Sequence, residues 1–243
     1  MVPSNTPQHD FLAGAGDYER RIRTLVPGYD TLHELSAAVL RAQLPDAARV
    51  LCVGAGTGEE IARLAGAGPL WRFVGVDPSA DMLAQARARL GQDGVLDRVE
   101  LTEGEVETVP PAPPFDAATL ILVLHFVKDD AARAALLGAI AVRLKRGAPL
   151  LLASLYREGD AGAVLEAWKA LQVLGGLPRA AVEERMAPRL AEARPVGDAE
   201  LASLLADAGF GPPTRYFQGL MMAAWVAVSR SNPPGHPGGH HQA

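Results

Sequence analysis

Short apolar runs alternate with longer amphipathic stretches through the middle of the chain. The runs that are apolar throughout predict strands at about Arg49–Gly54, Trp71–Asp77, Val99–Glu105, Phe115–Leu124 and Ala148–Ser154. The amphipathic stretches between them predict helices at about Gly58–Gly66, Ser79–Gly91 and Asp129–Lys145. Apolar strands joined by single helices are typical of a parallel sheet that is covered on both faces. The pattern therefore predicts a doubly wound α/β fold.

Three segments lie outside this alternation. Residues 11–44 predict N-terminal helices that are broken at Pro27-Gly28, and residues 160–195 predict a helical insertion without strands. Near the C-terminus, "PTRYFQ" and "LMMAAWVAVS" predict an antiparallel hairpin around Gln218-Gly219. We expect one domain over residues 1–230, in which the N-terminal helices and the insertion form a lid over the site. Residues 231–243, rich in Pro, Gly and His, are expected to be a disordered tail, although their histidines leave metal binding open.

Composition narrows the class of protein. The formal net charge of −5 argues against a nucleic-acid partner. The single cysteine, Cys52, excludes an intrachain disulfide and a cysteine metal cluster, and we predict no metal site. No signal peptide and no apolar stretch of about 18 residues is visible, so we expect a soluble cytoplasmic protein without a membrane partner. Whether it forms a homodimer is left open.

Three glycines at alternate positions follow the first predicted strand: Gly54, Gly56 and Gly58. In an open parallel sheet, ligands bind beyond the carboxyl ends of the strands, where the strand order reverses. A dinucleotide site would need the spacing G-x-G-x-x-G, with the diphosphate at the helix N-terminus. Here the third position of that template is Glu59, whose carboxylate would repel a diphosphate. The spacing G-x-G-x-G therefore indicates a ligand without phosphates.

This glycine spacing resembles motif I of the class I S-adenosylmethionine-dependent methyltransferases. Four further stretches follow in the order of that family: "FVGVDPSADML", "TEGEVETVP", "FDAATLILVLHFV" and "RLKRGAPLLLAS". The closing "ADAGF…RYFQ…AAWVAVS" is similar to the family's terminal antiparallel pair, so the resemblance runs from about Tyr18 to Ser229. It implies a seven-stranded, mostly parallel sheet with an antiparallel last strand. It also implies S-adenosyl-L-methionine as the cofactor.

The resemblance implies a set of cofactor-binding residues. Glycines in motif I would let the cofactor pass close to the backbone. Asp77 would accept both ribose hydroxyls, Glu105 would lie near the adenine amino group, and Val106 would lie beside the ring. The expected set in these motifs is Gly54, Ala55, Gly56, Thr57, Gly58, Asp77, Pro78, Met82, Glu105 and Val106.

"LVPGYD" and the insertion that carries Trp168 resemble a narrower group, the carboxy-S-adenosylmethionine synthases and related small methyltransferases. That resemblance implies that Tyr29 holds the carboxylate of the cofactor and that Arg185 completes the pocket. Two positions depart from the pattern. Cys52 stands where the wider family usually has an acid that helps to fix the methionine amino group, and Ile121 stands where the synthases have a pocket asparagine.

His125 follows the fourth predicted strand, in the region where the family binds its methyl acceptors. A histidine with an ordinary pKa near about 6.5 could take a proton from the acceptor, so His125 is the candidate general base. Methyl transfer from a sulfonium can also be accelerated by alignment and desolvation alone, so the base is optional. We predict a methyltransferase that acts on a small molecule. The alternatives are a carboxy-S-adenosylmethionine synthase-like or tRNA-modifying relative, and a catalytically silent cofactor-binding protein.

Overall fold

The computed structural model describes residues 21–111, 113–127 and 129–230, and for residues 187 and 189 the backbone only. Seven strands form one sheet in the order β3-β2-β1-β4-β5-β7-β6. The strands are β1 (Arg49–Val53), β2 (Arg72–Asp77), β3 (Val99–Glu103), β4 (Ala117–Ile121), β5 (Pro149–Leu155), β6 (Thr214–Gly219) and β7 (Met222–Val228). The first five strands pair in parallel, and β7 pairs antiparallel with both β5 and β6. The predicted doubly wound fold with an antiparallel last strand is therefore confirmed.

Seven α-helices with described bounds connect or cover the strands. They are α1 (Tyr29–Gln43), α2 (Glu59–Ala67), α3 (Ala80–Gln92), α4 (Asp130–Ala141), α5 (Gly162–Leu174), α6 (Arg179–Glu192) and α7 (Asp198–Asp207). Residues 21–25 are also helical. Among the described residues, no helix is long and apolar enough to cross a membrane. The predicted C-terminal tail and Tyr18 lie outside the described residues.

Alternate residues of each central strand supply two apolar cores. On β1, Val50 and Cys52 face one way and pack with apolar side chains of α1, α2 and α3. Leu51 and Val53 face the other way and pack with side chains of α4 and α7. Because neighbouring side chains of a strand point to opposite faces, a strand that is apolar throughout is covered on both sides. The cores hold the sheet rigid beneath the site.

A third apolar cluster joins α5 and α6 to the N-terminal segment. It contains Trp168 of α5, Met186 of α6 and Val26, together with residues from the ends of the strands such as Ile121. The Trp168 Nε1 atom donates a hydrogen bond of 2.6 Å to the carbonyl oxygen of Leu25. The insertion and the N-terminal segment thus form one cap, which we call the lid, over the carboxyl ends of the strands.

Several predicted boundaries differ from the structure for reasons of backbone geometry. β4 ends at Ile121 rather than near Leu124, because Leu122 adopts a left-handed conformation with φ of 63°. β3 ends at Glu103 because Gly104 turns the chain with φ of 136°. The hairpin turn lies at residues 220–221, after the predicted Gln218-Gly219. The predicted break at Pro27-Gly28 is confirmed, since α1 begins directly after Gly28.

Candidate functional site

The site lies where the strand order reverses, between β1 and β4. Strands β2 and β3 lie on one side of β1, and β4 and β5 on the other, so the loops that follow β1 and β4 leave a crevice between them. A cavity of about 500 Å³ opens there, lined by the strand ends, the start of α2 and the lid. Most of the residues expected at the cofactor line this cavity: Tyr29, Gly54, Ala55, Gly56, Thr57, Asp77, Pro78, Met82, Glu105, Val106 and Ile121.

The three glycines after β1 do different things. All have positive φ, of 75° at Gly54, 53° at Gly56 and 78° at Gly58. A Cβ at Gly54 would lie 2.3 Å from the Val123 Cγ2 atom, so this glycine admits Val123 rather than a ligand. A Cβ at Gly56 would meet only the Gly54 carbonyl oxygen, at 3.9 Å, and would project into open space. Gly58 does not line the cavity; it lets α2 begin against Ala86 of α3. Only Gly56 therefore leaves room for a ligand against the backbone.

Asp77 ends β2 beside the glycine loop. Its Oδ2 atom accepts a hydrogen bond of 2.9 Å from the Gly56 amide, and its Oδ1 atom accepts one of 2.9 Å from the Ser79 amide. Burial raises the pKa of Asp77, and these two backbone donors oppose the increase. A carboxylate has about four acceptor positions, so after these two bonds it can still accept from two hydroxyl groups. Asp77 thus holds the loop in shape and keeps acceptor capacity toward the cavity.

The β3 end of the cavity is more open. Glu105 is exposed, and its carbonyl oxygen accepts hydrogen bonds from the Thr108 amide and hydroxyl, at 3.0 and 2.7 Å. Val106 beside it is buried. On the other side of Asp77, Ser79 caps α3 by accepting a hydrogen bond of 3.3 Å from the Met82 amide. A flat ring that is bound here would lie beside the apolar Val106 and near the Glu105 carboxylate.

Glu59, the first residue of α2, is tied to three arginines. Its carboxylate pairs with Arg23 at 3.0 Å, with Arg63 at 2.7 Å and with Arg89. The acid is buried, and it occupies the helix N-terminus where a dinucleotide fold would hold its diphosphate. Three guanidinium groups balance the charge of Glu59, so the prediction of a ligand without phosphates rests on the G-x-G-x-G spacing rather than on repulsion by Glu59.

Glu60 and His33 line the cavity, although the sequence did not indicate either as a site residue. Glu60 is 7% exposed, and its Oε1 atom has no hydrogen-bond partner among the described residues. Burial raises its pKa to about 7, an increase that the Thr119 hydroxyl opposes. The His33 Nε2 atom is likewise buried without a described partner, and burial with the nearby Arg63 lowers the pKa of His33 to about 4. His33 lies one turn after Tyr29, and this i, i+4 spacing was the signal that could have indicated it.

His125 lines the cavity, but its geometry does not suit a general base. Its Nδ1 atom accepts from the Leu155 amide at 3.4 Å and lies 3.4 Å from the Ser154 hydroxyl oxygen. Since Nδ1 is an acceptor, the proton of the neutral ring belongs to Nε2. Burial, with a smaller effect of the Arg133 charge, lowers the pKa of His125 to about 3. A ring with so low a pKa draws a proton from an acceptor only weakly.

The lid supplies an apolar wall. Trp168, Met186 and Leu190 face the cavity from α5 and α6. Arg185 is exposed and does not line the cavity, so the structure does not bring it to the predicted pocket. Among the described residues that line the cavity, none is Lys or Arg, whereas five are acidic: Glu59, Glu60, Asp77, Glu105 and Glu192.

The sequence matches a family described as a methyltransferase domain, over residues 50–147. Over 91 residues, the chain is 37% identical to a trans-aconitate 2-methyltransferase from Azoarcus sp. (strain BH72). That match covers 37% of this chain and 34% of the relative, so the chain spans about a third of the relative's length. The segment that the family matches, residues 50–147, contains the glycine loop and Asp77.

Solved structures are similar over most of the chain. A putative O-methyltransferase from Nostoc punctiforme has a TM-score of 0.64 at 21% identity, covering 82% of this chain and 56% of that one. An N,N-8-amino-8-demethyl-D-riboflavin dimethyltransferase from Streptomyces davawensis has a TM-score of 0.61 at 25% identity, covering 92% and 62%. Residues 50–147 are therefore similar to a methyltransferase domain, and the chain has the fold of the methyltransferase structures to which it is similar.

Proposed function

We propose that this protein is an S-adenosyl-L-methionine-dependent methyltransferase that acts on a small, predominantly apolar molecule. One observation carries the proposal: the glycine loop and Asp77 form one wall of a cavity whose other wall is the apolar lid. The methyltransferase-domain match supports the reaction class. The size of the cavity, about 500 Å³, suits a cofactor together with a small acceptor.

The residues present fit this cofactor. Open space at Gly56 admits a ligand against the backbone. Asp77 has acceptor positions left for ribose hydroxyls, and Val106 offers an apolar surface for the adenine. Tyr29, predicted to hold the carboxylate, is 7% exposed and lines the cavity. When bound, the cofactor supplies an electrophilic methyl group on a sulfonium.

The chain contributes to the reaction through position and exclusion of water. Asp77 and the loop that it holds would fix the cofactor, and the lid would hold the acceptor and keep water out. Holding two reactants in line can contribute about 7–11 kcal/mol of a barrier. We infer that His125 positions the β5 end rather than removing a proton, because its Nδ1 is engaged and its pKa is lowered to about 3. Chemistry without a side-chain base is sufficient for an acceptor whose nucleophilic form is present near pH 7.

The lining indicates the class of acceptor. The relative from Azoarcus is named for a polycarboxylate, trans-aconitate, which needs cationic partners when it is buried. Acidic and apolar side chains line this cavity, with no Lys or Arg among its described residues. An anionic acceptor would find no cationic partner among these lining residues, whereas an uncharged or cationic apolar molecule would be accommodated.

Labelled methyl transfer tests the proposal. The full chain should transfer methyl from S-adenosylmethionine to at least one member of a panel of uncharged aromatic amines, with formation of S-adenosylhomocysteine. Trans-aconitate should give no turnover. Turnover of trans-aconitate above all other acceptors would contradict the acceptor class. Binding of S-adenosylmethionine without turnover of any acceptor would favour the silent cofactor-binding alternative. The carboxy-S-adenosylmethionine synthase-like alternative stays a prediction of the sequence.

A further inference from the structure

We propose that Glu60 binds the ammonium group of the cofactor's methionine portion, in place of the acid that is missing at position 52. The inference rests on the proposed function and adds to it a residue outside the recognised motifs. Three observations carry it: the unpaired state of Glu60, its position relative to Cys52, and its place along the cavity.

Glu60 is a buried acid that still needs a partner. Its side chain is more than nine-tenths buried, it lines the cavity, and its Oε1 atom accepts no hydrogen bond from the described residues. Glu59, its neighbour in sequence, is surrounded by arginines instead. An unpaired buried carboxylate is costly, and a cationic ligand removes that cost by pairing with it. One acid that lines the cavity therefore carries a charge that no described residue balances.

Position 52 lies on the same face of the sheet as Glu60. Cys52 of β1 is the register neighbour of Thr119 of β4, and Cys52 belongs to the core that α2 covers. The Glu60 carboxylate is close enough to Cys52 to raise the pKa of the thiol, after the larger effect of burial. Thr119 is close to both side chains, although its Oγ1 atom makes no hydrogen bond of normal geometry among the described residues. An acid from the start of α2 thus reaches the region that an acid at the end of β1 would serve.

The order of the groups along the cavity indicates that the ammonium is the part of the cofactor that lies beside Glu60. Glu105 and Val106 follow β3, Asp77 ends β2, and Glu60 lies over β1 and β4. With the strand order β3-β2-β1-β4, Glu60 and the adenine site are on opposite sides of the ribose site. In the cofactor, the amino acid portion and the adenine are likewise on opposite sides of the ribose. The charge complementarity then matches Glu60 with the ammonium.

The groups that face Glu60 are neutral around pH 7, so the charge at this position comes from Glu60 itself. Burial raises the pKa of Cys52 on β1 and of Tyr216 on β6, and Glu60 adds to both increases. Glu60 has its own pKa raised to about 7. An ammonium ligand would favour the ionised form, so ligand affinity should weaken as the pH falls below about 7.

Binding of S-adenosylhomocysteine and of its analogue that lacks only the amino group tests the inference. Calorimetry at pH 8 should show that the wild-type chain prefers S-adenosylhomocysteine at least ten-fold. Glu60→Gln should weaken S-adenosylhomocysteine binding about ten-fold or more, the effect of losing a hydrogen bond to a charged group, and should hardly change binding of the analogue. Glu34→Gln, at an exposed acid of α1, is the matched control and should behave as wild type.

Moving the acid back to β1 gives a second test. In the Glu60→Gln background, Cys52→Asp should restore part of the preference for the amino group. Cys52→Asp alone should give no gain, because two carboxylates would then share one buried place. A clear gain from Cys52→Asp alone would overturn the inference, since it would show that the amino group lacked an acid.

The outcomes separate this inference from the proposed function. If wild type binds S-adenosylhomocysteine and Glu60→Gln keeps the full preference for the amino group, the role of Glu60 is wrong and the function stands. A wild-type chain that binds neither compound would overturn both.

Discussion

At the scale of single residues, Asp77 has two tasks, and its replacement should affect both. Asp77→Ala removes the acceptors of the Gly56 and Ser79 amides as well as the contacts expected for the ribose. Hydrogen bonds to a charged group contribute about 1.5–3 kcal/mol each, so affinity for S-adenosylhomocysteine should fall more than ten-fold. Calorimetry measures this change.

Asp116 provides the matched control for Asp77. It also accepts two hydrogen bonds, from the Arg49 amide at 2.8 Å and from Lys145 at 2.6 Å, but it directly precedes β4, at the amino ends of the parallel strands and away from the cavity. Asp116→Ala should lower stability and leave S-adenosylhomocysteine affinity unchanged. Equal losses of affinity in the two variants would mean that Asp77 acts only through the fold.

The burial of Glu60 should make the stability of the ligand-free protein depend on pH. Its pKa is about 7 in the folded chain against an ordinary 4.5, so the folded state holds the proton more tightly. This contribution to stability is complete below about pH 4.5 and is lost as the pH rises through about 7. Glu60→Gln should therefore raise the melting temperature of the ligand-free protein by several degrees at pH 8 and by little at pH 5. The gain in the free energy of unfolding at pH 8 should be at most about 3 kcal/mol. A difference that is the same at both pH values would show that burial of the charge is not the cause.

At the scale of elements, substitutions in the loop after β1 should separate the effect of packing from that of ligand contact. Gly54→Ala meets the Val123 side chain and a left-handed backbone, so it should lower the free energy of unfolding by about 2–4 kcal/mol, with partial recovery on adding Val123→Ala. Gly56→Ala has only the backbone strain, about 1–2 kcal/mol, but places a methyl group in the cavity. It should weaken S-adenosylhomocysteine binding more than Gly54→Ala does relative to its stability cost. Urea unfolding and calorimetry on the same samples measure both quantities.

The link between α5 and the N-terminal segment of the lid should affect the KM for the acceptor. Trp168→Phe removes the hydrogen bond from α5 to the Leu25 carbonyl oxygen and keeps an aromatic ring. Because Trp168 lies in the apolar wall, the KM for the acceptor should rise several-fold while cofactor affinity changes little. Trp71→Phe is the control: Trp71 Nε1 also donates to a carbonyl oxygen, that of Pro45 at 3.0 Å, and is not among the cavity residues. An unchanged acceptor KM in Trp168→Phe would show that this link does not hold the lid in place.

Across the whole molecule, the sheet could be predicted because its strands are apolar runs that end at polar or glycine residues. Asp77 and Gly56 could be placed at the site for the same reason, since both follow such runs. Glu60 was not placed, because an acid in the first turn of a helix is usual whether or not it binds a ligand; its position one turn before Leu64, on the apolar face of α2, was the signal that could have indicated it. The contact of Val123 with Gly54 could not be predicted either, because it depends on a left-handed turn at Leu122, and leucine seldom adopts that conformation.

The central claim is that the crevice between β1 and β4 holds S-adenosylmethionine, and binding to the full chain tests it most directly. Calorimetric titration with S-adenosylhomocysteine at pH 8 should give one site per chain, with an affinity at least one hundred-fold above that for NADH. The spacing G-x-G-x-G, with Glu59 in place of the third glycine of a dinucleotide loop, is the reason that we expect NADH to bind weakly. Tighter binding of NADH than of S-adenosylhomocysteine would contradict the account.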